Sequence, residues 1–271
     1  MLTADLNLAT EAAREAGRLL MSFYQSEYEV SSKGKDNPLT EADLASDQCL
    51  KERLRDARPD YGWLSEETAD DPSRQSREWV WIVDPLDGTK EFIEGKPQFA
   101  VSIGLVHRGR AMLGVIFNPV TDEMFAAMGE GTAQLNGVPV HASRRSQLEG
   151  ATLLASRSEV RRGEFGLFEK DFTIRAVGSI AYKLALIAAG RADATFSLGP
   201  KHEWAVCAGA ALVAAAGGIA TARDGRPLLF NQTPTLTNGI LAAGAGIHAA
   251  LVARCAPLLD QFQHRFAERA R

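Results

Sequence analysis

The sequence is poor in cysteine. Its 271 residues contain three, Cys49, Cys207 and Cys255. They lie far apart and form no CxxC pair, so we expect no disulfide framework and interpret them as small buried side chains in a reducing, cytoplasmic setting. A positive charge excess is missing too, because 30 Lys and Arg stand against 34 Asp and Glu, a formal net charge of −4. This balance argues against a nucleic-acid polymer as partner.

Long apolar runs are also missing. No apolar stretch reaches the ~18 residues that a membrane span needs, and the N-terminal residues lack the basic and then apolar order of a signal peptide. Glycine-rich dinucleotide and P-loop motifs are absent. What remains, 45% hydrophobic and 24% charged residues, is ordinary globular composition, and the length is enough for a sizeable core.

Apolar spacing and turn signals predict the order of helices and strands. The first half predicts a helix over 5–25, a polar loop over 31–38, a helix from Thr40 to about Arg58, a strand over 79–84, and an antiparallel meander from Phe99 to Phe125 that continues through Asn136 and Gly137. The second half predicts strands over 151–155, 173–177, 194–198 and 239–243, helices over 180–189, 204–216 and 247–270, and a hairpin over 219–230.

This order predicts the architecture. Interspersed helices and strands favour stacked helix and sheet layers, an α+β arrangement, over a doubly wound dinucleotide fold. We expect one unit over 1–271, with an antiparallel-sheet half over about 1–148 and an alternating α/β half over about 149–271.

The most informative segment is Asp84-Pro85-Leu86-Asp87-Gly88-Thr89. It places two carboxylates three residues apart at the end of a predicted buried strand, and Gly88 allows the backbone to approach a ligand closely. Backbone N–H groups at the start of the following helical turn favour an anion, above all a phosphate. Carboxylates beside an anion need a cation between them, and their hard oxygens suit Mg²⁺ or Mn²⁺. The alternative is an ordinary polar turn.

Two further acidic positions favour the metal interpretation. Glu66 and Glu67 follow a short apolar segment, and Asp43 follows Thr40 by three residues. Each has a plain structural alternative, since Glu66 and Glu67 suit a solvated helix start and Asp43 suits the N-terminal helix dipole. Together with Asp84 and Asp87 they supply enough carboxylates for two or more ions that stabilise a phosphoryl displacement. We expect Glu66, Asp84 and Asp87 to converge on one cation position.

The motifs together resemble a known family. WIVDPLDGTKEF, with LSEE and PLTEAD upstream and GSIAYKLALIAAGRADATF and HEWAVCAGAALVAAAGG downstream, is similar to the Mg²⁺-dependent, lithium-sensitive inositol monophosphatase-like phosphatases. The resemblance spans about residues 5–245 and implies an α/β/α/β/α layered sandwich. Lys-Glu-Phe after DPLDGT, and RDGRPLLFN near the end, look most like the 3′(2′),5′-bisphosphate nucleotidase branch.

The resemblance also implies roles for residues. It assigns metal binding to Glu66, Asp84, the Leu86 carbonyl and Asp87, for two or three Mg²⁺ ions, and activation of the attacking water to Asp43 and Thr89. It assigns substrate contacts to Glu66, Leu86, Asp87, Gly88, Thr89, Gly178 and Ser179. The implied partner is a small phosphorylated substrate. The family is often dimeric, so a homodimer is possible, but the sequence does not fix the oligomeric state.

One position departs from the family pattern. Where the family has a metal-binding aspartate after tryptophan, this chain has Glu203-Trp204-Ala205, and alanine cannot bind a metal. We do not interpret Glu203 as a replacement. Either Ala205 weakens or inactivates the protein, or the second metal is held differently. The resemblance therefore implies a bisphosphate nucleotidase, with an inositol or sugar monophosphatase as the first alternative and a phosphate-binding pseudoenzyme as the second. Candidate cations for a distal phosphate are Lys90, Lys183, Lys201 and Arg226.

Overall fold

The computed structural model of the chain describes residues 1–34, 37–129 and 131–259. The helices are α1 (Leu2–Phe23), α2 (Glu41–Ala57), α3 (Thr89–Ile93), α4 (Arg157–Arg161), α5 (Ile180–Ala188), α6 (Glu203–Ala215) and α7 (Ala245–Cys255), with short 3₁₀ turns at Pro72–Ser76, Gly166–Phe168 and Ala256–Leu258. The strands are β1 (Val30–Gly34), β2 (Asn37–Thr40), β3 (Gly62–Ser65), β4 (Trp79–Asp87), β5 (Ala100–His107), β6 (Arg110–Asn118), β7 (Glu123–Met128), β8 (Gln134–Leu135), β9 (Val138–Pro139), β10 (Ala151–Ala155), β11 (Phe172–Ala176), β12 (Ala194–Ser197), β13 (Lys201–His202), β14 (Gly218–Thr221), β15 (Leu236–Thr237) and β16 (Ile240–Gly244). No helix in the described ranges is long and apolar enough to cross a membrane.

Two larger sheets form the framework. The seven-stranded sheet has the order β3-β4-β5-β6-β7-β8-β9, parallel between β3 and β4 and antiparallel between its other neighbours. The five-stranded sheet has the order β11-β10-β12-β16-β14, with parallel pairs at β11-β10-β12 and antiparallel pairs at β12-β16-β14. The predicted antiparallel meander and the predicted second-half strands therefore form two different sheets.

The helices separate these sheets into layers. Helices α1 and α2 pack on one face of the seven-stranded sheet, and α5 and α6 fill the space between the two sheets. On the outer side of the five-stranded sheet, α7 packs against β16. The order helix, sheet, helix, sheet, helix confirms the predicted α/β/α/β/α sandwich, because each sheet buries both of its faces.

Two glycines let α6 lie directly on the larger sheet. A Cβ on Gly104 would lie 2.6 Å from Cys207 Sγ, and a Cβ on Gly114 would lie 2.2 Å from the Ala208 carbonyl oxygen. Only a residue without a side chain permits this approach. The close packing determines where the first turn of α6, which carries Ala205, meets the end of β4.

Besides the strand over 79–84, three predicted elements differ from the structure. The predicted polar loop over 31–38 includes parts of the antiparallel ribbon β1–β2, whose sequences VSSKG and NPLT give no hydrophobic alternation to detect. The predicted hairpin over 219–230 forms its turn but has a single bridge, Thr221 to Pro227, because proline donates no ladder hydrogen bond and β14 pairs with β16. The predicted last helix ends at Cys255, before Pro257, in a 3₁₀ turn, and its part after 259 lies outside the described residues.

Candidate active site

The two aspartates of DPLDGT lie on either side of an irregularity in β4. Asp84 is paired with Ser102 of β5 and Asp87 with Ala100, so three steps along β4 match two along β5. This β-bulge includes Pro85, which has no N–H to contribute to the ladder. The strand therefore continues to Asp87 rather than ending at Asp84 as predicted, and the bulge changes the direction of the side chains where the carboxylates are needed.

Gly88 connects β4 to α3 in a conformation that suits glycine. Its φ is +107°, a backbone angle that residues with a Cβ rarely adopt. A Cβ there would also lie 3.0 Å from the Gln98 carbonyl oxygen. The turn at Gly88 brings the Thr89 hydroxyl back over the strand end, where Thr89 Oγ1 lies 3.2 Å from the Leu86 carbonyl oxygen.

Asp43 completes the capping box of α2, whose N-cap is Thr40, and also binds Thr89. Its Oδ2 accepts hydrogen bonds from Thr40 N at 2.8 Å and Thr40 Oγ1 at 2.6 Å, which completes the capping box of α2. Its Oδ1 accepts a hydrogen bond from Thr89 Oγ1 at 3.1 Å. The capping interpretation and the catalytic one are therefore compatible, because each uses a different oxygen of the same buried carboxylate.

The same face of α2 holds two more segments of the site. Ser46 Oγ donates to the Pro85 carbonyl oxygen at 2.9 Å. Asp47 accepts hydrogen bonds from the hydroxyls of Ser65 and Thr68, the residues that flank Glu66 and Glu67. Sequence reasoning missed the supporting roles of Ser46, Asp47, Ser65 and Thr68. The available signal was that Asp43, Ser46 and Asp47 are polar at a spacing of three and four, which places them on one helix face.

Two adjoining hollows open beside these segments. The first, which we call the Thr89 cleft, has a volume of about 240 Å³ and includes Leu86, Asp87, Gly88 and Thr89 in its lining. The second, which we call the Ala205 hollow, has a volume of about 420 Å³ and includes Asp84 and Ala205. Both are lined by Glu66, Asp87, Ile180 and Lys201.

The carboxylates around the two hollows repel one another. Burial raises the pKa of Asp84 well above its usual range, and the negative charges of Glu66 and Asp87 raise it further. Burial also raises the pKa of Asp87 to about 6, although hydrogen bonds from Ser179 and the Ala181 backbone act in the opposite direction. The charge of Lys183 lowers the pKa of Asp87, but the charges that act most strongly on Asp84 are all negative, and this imbalance favours a bound cation.

The donor set suits Mg²⁺ without forming a complete cage. Across the described residues, no group of three or more His, Cys, Asp or Glu side chains forms a metal-binding cluster. Glu66, Asp84 and Asp87 line the Ala205 hollow together, and their convergence on one cation position stays a prediction. Mg²⁺ is commonly held by one or two carboxylates together with waters and substrate phosphate oxygens. The carboxylate oxygens and the Leu86 carbonyl oxygen are suitable ligands for such an ion. The surrounding negative charge also favours a cation at this place.

The first turn of α5 holds Asp87 in place. Ser179 Oγ donates to Asp87 Oδ2 at 2.5 Å, and the Ala181 N–H donates to the same oxygen at 2.6 Å. The Gly178 N–H donates to Gln98 Oε1 at 3.0 Å, and a Cβ on Gly178 would lie 2.2 Å from Glu91 Cγ. The structure thus brings the predicted substrate residues Gly178 and Ser179 to the Thr89 cleft.

The candidate cations fall into two groups. Lys90, Lys183 and Lys201 line the Thr89 cleft. Arg226 does not, because it pairs with Asp224 beside a separate groove, so its proximity in sequence to the motifs was misleading. Sequence reasoning also missed Arg157 and Arg161 of α4, which line the cleft but lie in a segment without a recognisable motif.

Glu203 does not compensate for Ala205. Its carboxylate accepts hydrogen bonds from the N–H groups of Asn231 at 2.6 Å and Gln232 at 2.9 Å. Burial raises the pKa of Glu203 to about 7, and these backbone donors act against the increase. Glu203 therefore binds a neighbouring loop, and Ala205 presents no oxygen to the hollow that it lines.

Comparisons with known proteins agree with this arrangement. Residues 1–259 match the model of the inositol monophosphatase family. The chain belongs to the inositol monophosphatase family. It is 33% identical over 259 residues to the Nus factor SuhB of Escherichia coli strain K12, covering 92% of this chain and 94% of that protein. It is 34% identical over 252 residues to an inositol-1-monophosphatase of Mesorhizobium japonicum, covering 89% and 92%.

Solved structures give the same result. The inositol monophosphatase of Anabaena (Nostoc) sp. PCC 7120 superimposes with a TM-score of 0.80 at 32% identity, covering 94% of this chain and 96% of that one. As a member of the inositol monophosphatase family, the chain is a phosphatase for phosphoric monoesters, and the family generally uses Mg²⁺. This confirms the predicted family and reaction class and leaves the substrate to be decided.

Proposed function

We propose that this protein hydrolyses a small phosphate monoester by direct attack of a water molecule that Asp43 and Thr89 activate. The hydrogen bond of 3.1 Å from Thr89 Oγ1 to Asp43 Oδ1 carries this proposal. It joins a hydroxyl at the Thr89 cleft to a buried carboxylate that can accept a proton, which is the arrangement of a general-base pair.

The metal would be held by Glu66, Asp84, the Leu86 carbonyl and Asp87, as two or three Mg²⁺ or Mn²⁺ ions. When bound, the metal neutralises the carboxylates and polarises the phosphate oxygens. Ala205 removes one ligand expected from the family resemblance, so we propose that at least one of these ions is weakly held. Inhibition by lithium and assembly as a homodimer, both implied by the resemblance, belong to the same proposal.

The chain's own groups then have definite tasks. The backbone of Asp87, Gly88 and Thr89 holds the phosphate at the start of α3. As the water oxygen bonds to phosphorus, the water gives one proton to Thr89 Oγ1, and the Thr89 proton passes to Asp43 Oδ1. The bond between phosphorus and the ester oxygen breaks, and the leaving oxygen takes a proton from solvent. Ser179 and the Ala181 N–H keep Asp87 oriented throughout.

For the substrate, we propose a nucleoside 3′,5′-bisphosphate that loses its 3′-phosphate. The proposal is supported by Lys90-Glu91-Phe92 after DPLDGT and by the cations along the Thr89 cleft. The test measures phosphate release with Mg²⁺ from adenosine 3′,5′-bisphosphate, inositol 1-phosphate and fructose 1,6-bisphosphate, with a chelator control. The highest kcat/KM is expected for the adenosine bisphosphate, and a higher value for inositol 1-phosphate would overturn this choice.

A second candidate is an inositol monophosphatase. The similarity to the inositol-1-monophosphatase of Mesorhizobium japonicum supports it, and the same three-substrate assay decides between the two. The remaining alternative, a phosphate-binding pseudoenzyme, rests on Ala205 in the hollow lined by Asp84 and Asp87. Binding of the adenosine bisphosphate without Mg²⁺-dependent phosphate release would favour that alternative.

A further inference from the structure

Lys183 is a buried cation with few partners. It lies on α5, is 2% exposed and lines the Thr89 cleft. Its Nζ makes one long hydrogen bond, 3.4 Å to the Val177 carbonyl oxygen. A lysine ammonium carries three N–H donors, so within the described residues two of them have no acceptor. A buried charged donor without an acceptor is unfavourable unless a ligand supplies one.

The acids near Lys183 act on its charge, but none of them accepts a hydrogen bond from its Nζ among the described contacts. Burial lowers the pKa of Lys183; the charge of Lys201 adds to this change, and the charges of Glu159, Asp87 and Glu91 oppose it. Glu159 is itself occupied, since its Oε1 accepts a hydrogen bond from Ser197 Oγ at 2.5 Å and lies 3.5 Å from Lys201 Nζ. Glu159, the acid that acts most strongly on Lys183, is therefore already engaged by Ser197 and Lys201.

The position of this wall relative to the reacting groups indicates what it binds. Ser179 and Ala181, in the first turn of α5, hold Asp87 at the metal side of the cleft. Lys183 follows four residues after Ser179, one helical turn along the same helix. Gly88, Thr89 and Lys183 line the same cleft, so a substrate whose reacting phosphate lies at Gly88 and Thr89 can extend to Lys183. Arg161 of α4 lines the same cleft.

We propose that Lys183, with Lys201, forms a subsite for a second phosphate group of the substrate, distinct from the phosphate that is hydrolysed. This inference rests on the proposed phosphatase site and specifies how that site distinguishes a bisphosphate from a monophosphate. The second phosphate supplies oxygen acceptors to the two unused donors of Lys183. Charge-assisted hydrogen bonds of this kind are among the strong ones.

The test compares matched substrates that share the reacting phosphate. The ratio of kcat/KM for adenosine 3′,5′-bisphosphate to that for adenosine 3′-monophosphate isolates the second phosphate. We expect Lys183→Met to lower this ratio at least ~10-fold and Lys201→Met to lower it by less, because Lys201 is already paired with Glu159. Lys170→Met, an exposed lysine away from the cleft, is the control and leaves the ratio unchanged. A ratio that Lys183→Met does not change would overturn the subsite.

The same ratio is measured with inositol 1,4-bisphosphate and inositol 1-phosphate. If only the inositol pair is hydrolysed and Lys183→Met lowers its ratio, the subsite holds and the nucleotidase proposal fails. If the nucleotide pair is hydrolysed with no preference for the bisphosphate, the nucleotidase activity stands and the subsite fails. Where turnover is too slow to measure, dissociation constants of the same pairs give the ratio. Thermal unfolding of Lys183→Met shows whether the variant is folded, and Lys183→Arg, which keeps the charge, is expected to restore part of the preference.

Discussion

Thr89 and Asp43 lie 46 positions apart in the sequence and are joined by a hydrogen bond of 3.1 Å from Thr89 Oγ1 to Asp43 Oδ1. The other carboxylate oxygen of Asp43 caps α2 through Thr40. One buried side chain therefore links the start of α2 to the start of α3. The hydrogen bonds of the capping box hold the Asp43 carboxylate in the orientation in which it accepts the Thr89 hydroxyl.

The first prediction is that catalysis requires the hydroxyl of Thr89. Thr89→Val keeps the shape of the side chain and removes the hydroxyl, so kcat should fall ~100-fold or more, as expected when general-base assistance is lost. Thr89→Ser is the matched control and should retain most of the activity. Steady-state kinetics with saturating Mg²⁺ measure both variants, and equal rates for Thr89→Val and the unaltered protein would exclude Thr89 from catalysis.

Asp84 gives a prediction about stability as well as activity. Asp84→Asn removes a charge that Glu66, Asp87 and burial disfavour, so the metal-free protein should unfold at the same temperature or a higher one. Activity should be lost, because the amide is a poorer metal ligand. Thermal unfolding with a chelator and with Mg²⁺ tests this. A lower unfolding temperature of the metal-free variant would show that Asp84 is structural instead.

Asp47 supports the segment that carries Glu66. Its carboxylate accepts the Ser65 and Thr68 hydroxyls, and losing such a supporting partner typically costs about 10–100-fold in metal affinity or activity. Asp47→Ala should therefore raise the Mg²⁺ concentration for half-maximal activity by about that factor. The exposed neighbour Gln48→Ala, on the same helix, is the control. An unchanged Mg²⁺ requirement for Asp47→Ala would contradict a positioning role.

Ala205 gives the most direct test of the family alignment. Ala205→Asp places a carboxylate in the hollow lined by Asp84 and Asp87, within the first turn of α6, where the helix dipole favours it. At saturating Mg²⁺, kcat should rise at least ~10-fold, which corresponds to about 1.4 kcal/mol of barrier. Ala205→Asn matches the size without the charge and should give little of this gain. No gain from aspartate would mean that the metals do not depend on this position.

Gly114 tests the contact that places α6. Gly114→Ala would put its Cβ 2.2 Å from the Ala208 carbonyl oxygen, an overpacking that costs about 1–3 kcal/mol of unfolding free energy. Gly166→Ala, whose Cβ would have no neighbour within 4 Å, is the control and should change stability little. Urea unfolding measures the stability of both variants. Equal unfolding midpoints for Gly114→Ala and Gly166→Ala would show that α6 can shift on the sheet without loss of stability.

Much of the fold and part of the site could be predicted from the sequence because the signals were local. The capping pair Thr40 and Asp43 and the meander after Phe99 depend on neighbours within a few residues, and the structure has both. The ribbon β1–β2 escaped prediction because its strands pair through backbone groups with little apolar patterning. Arg226 misled because a distance in sequence is not a distance in space.

The sequence by itself determined which chemistry is available: carboxylates and a glycine turn in DPLDGT, an alanine after Trp204, and enough apolar residues for layered sheets. Only the tertiary structure decided which of these groups meet. It brought Asp43 to Thr89, Asp47 to the segment of Glu66, and Lys183 and Lys201 to Glu159. The physical reason is that these pairings depend on how α2, α4 and α5 pack against the two sheets, and packing depends on complementary surfaces of distant segments that no local pattern encodes.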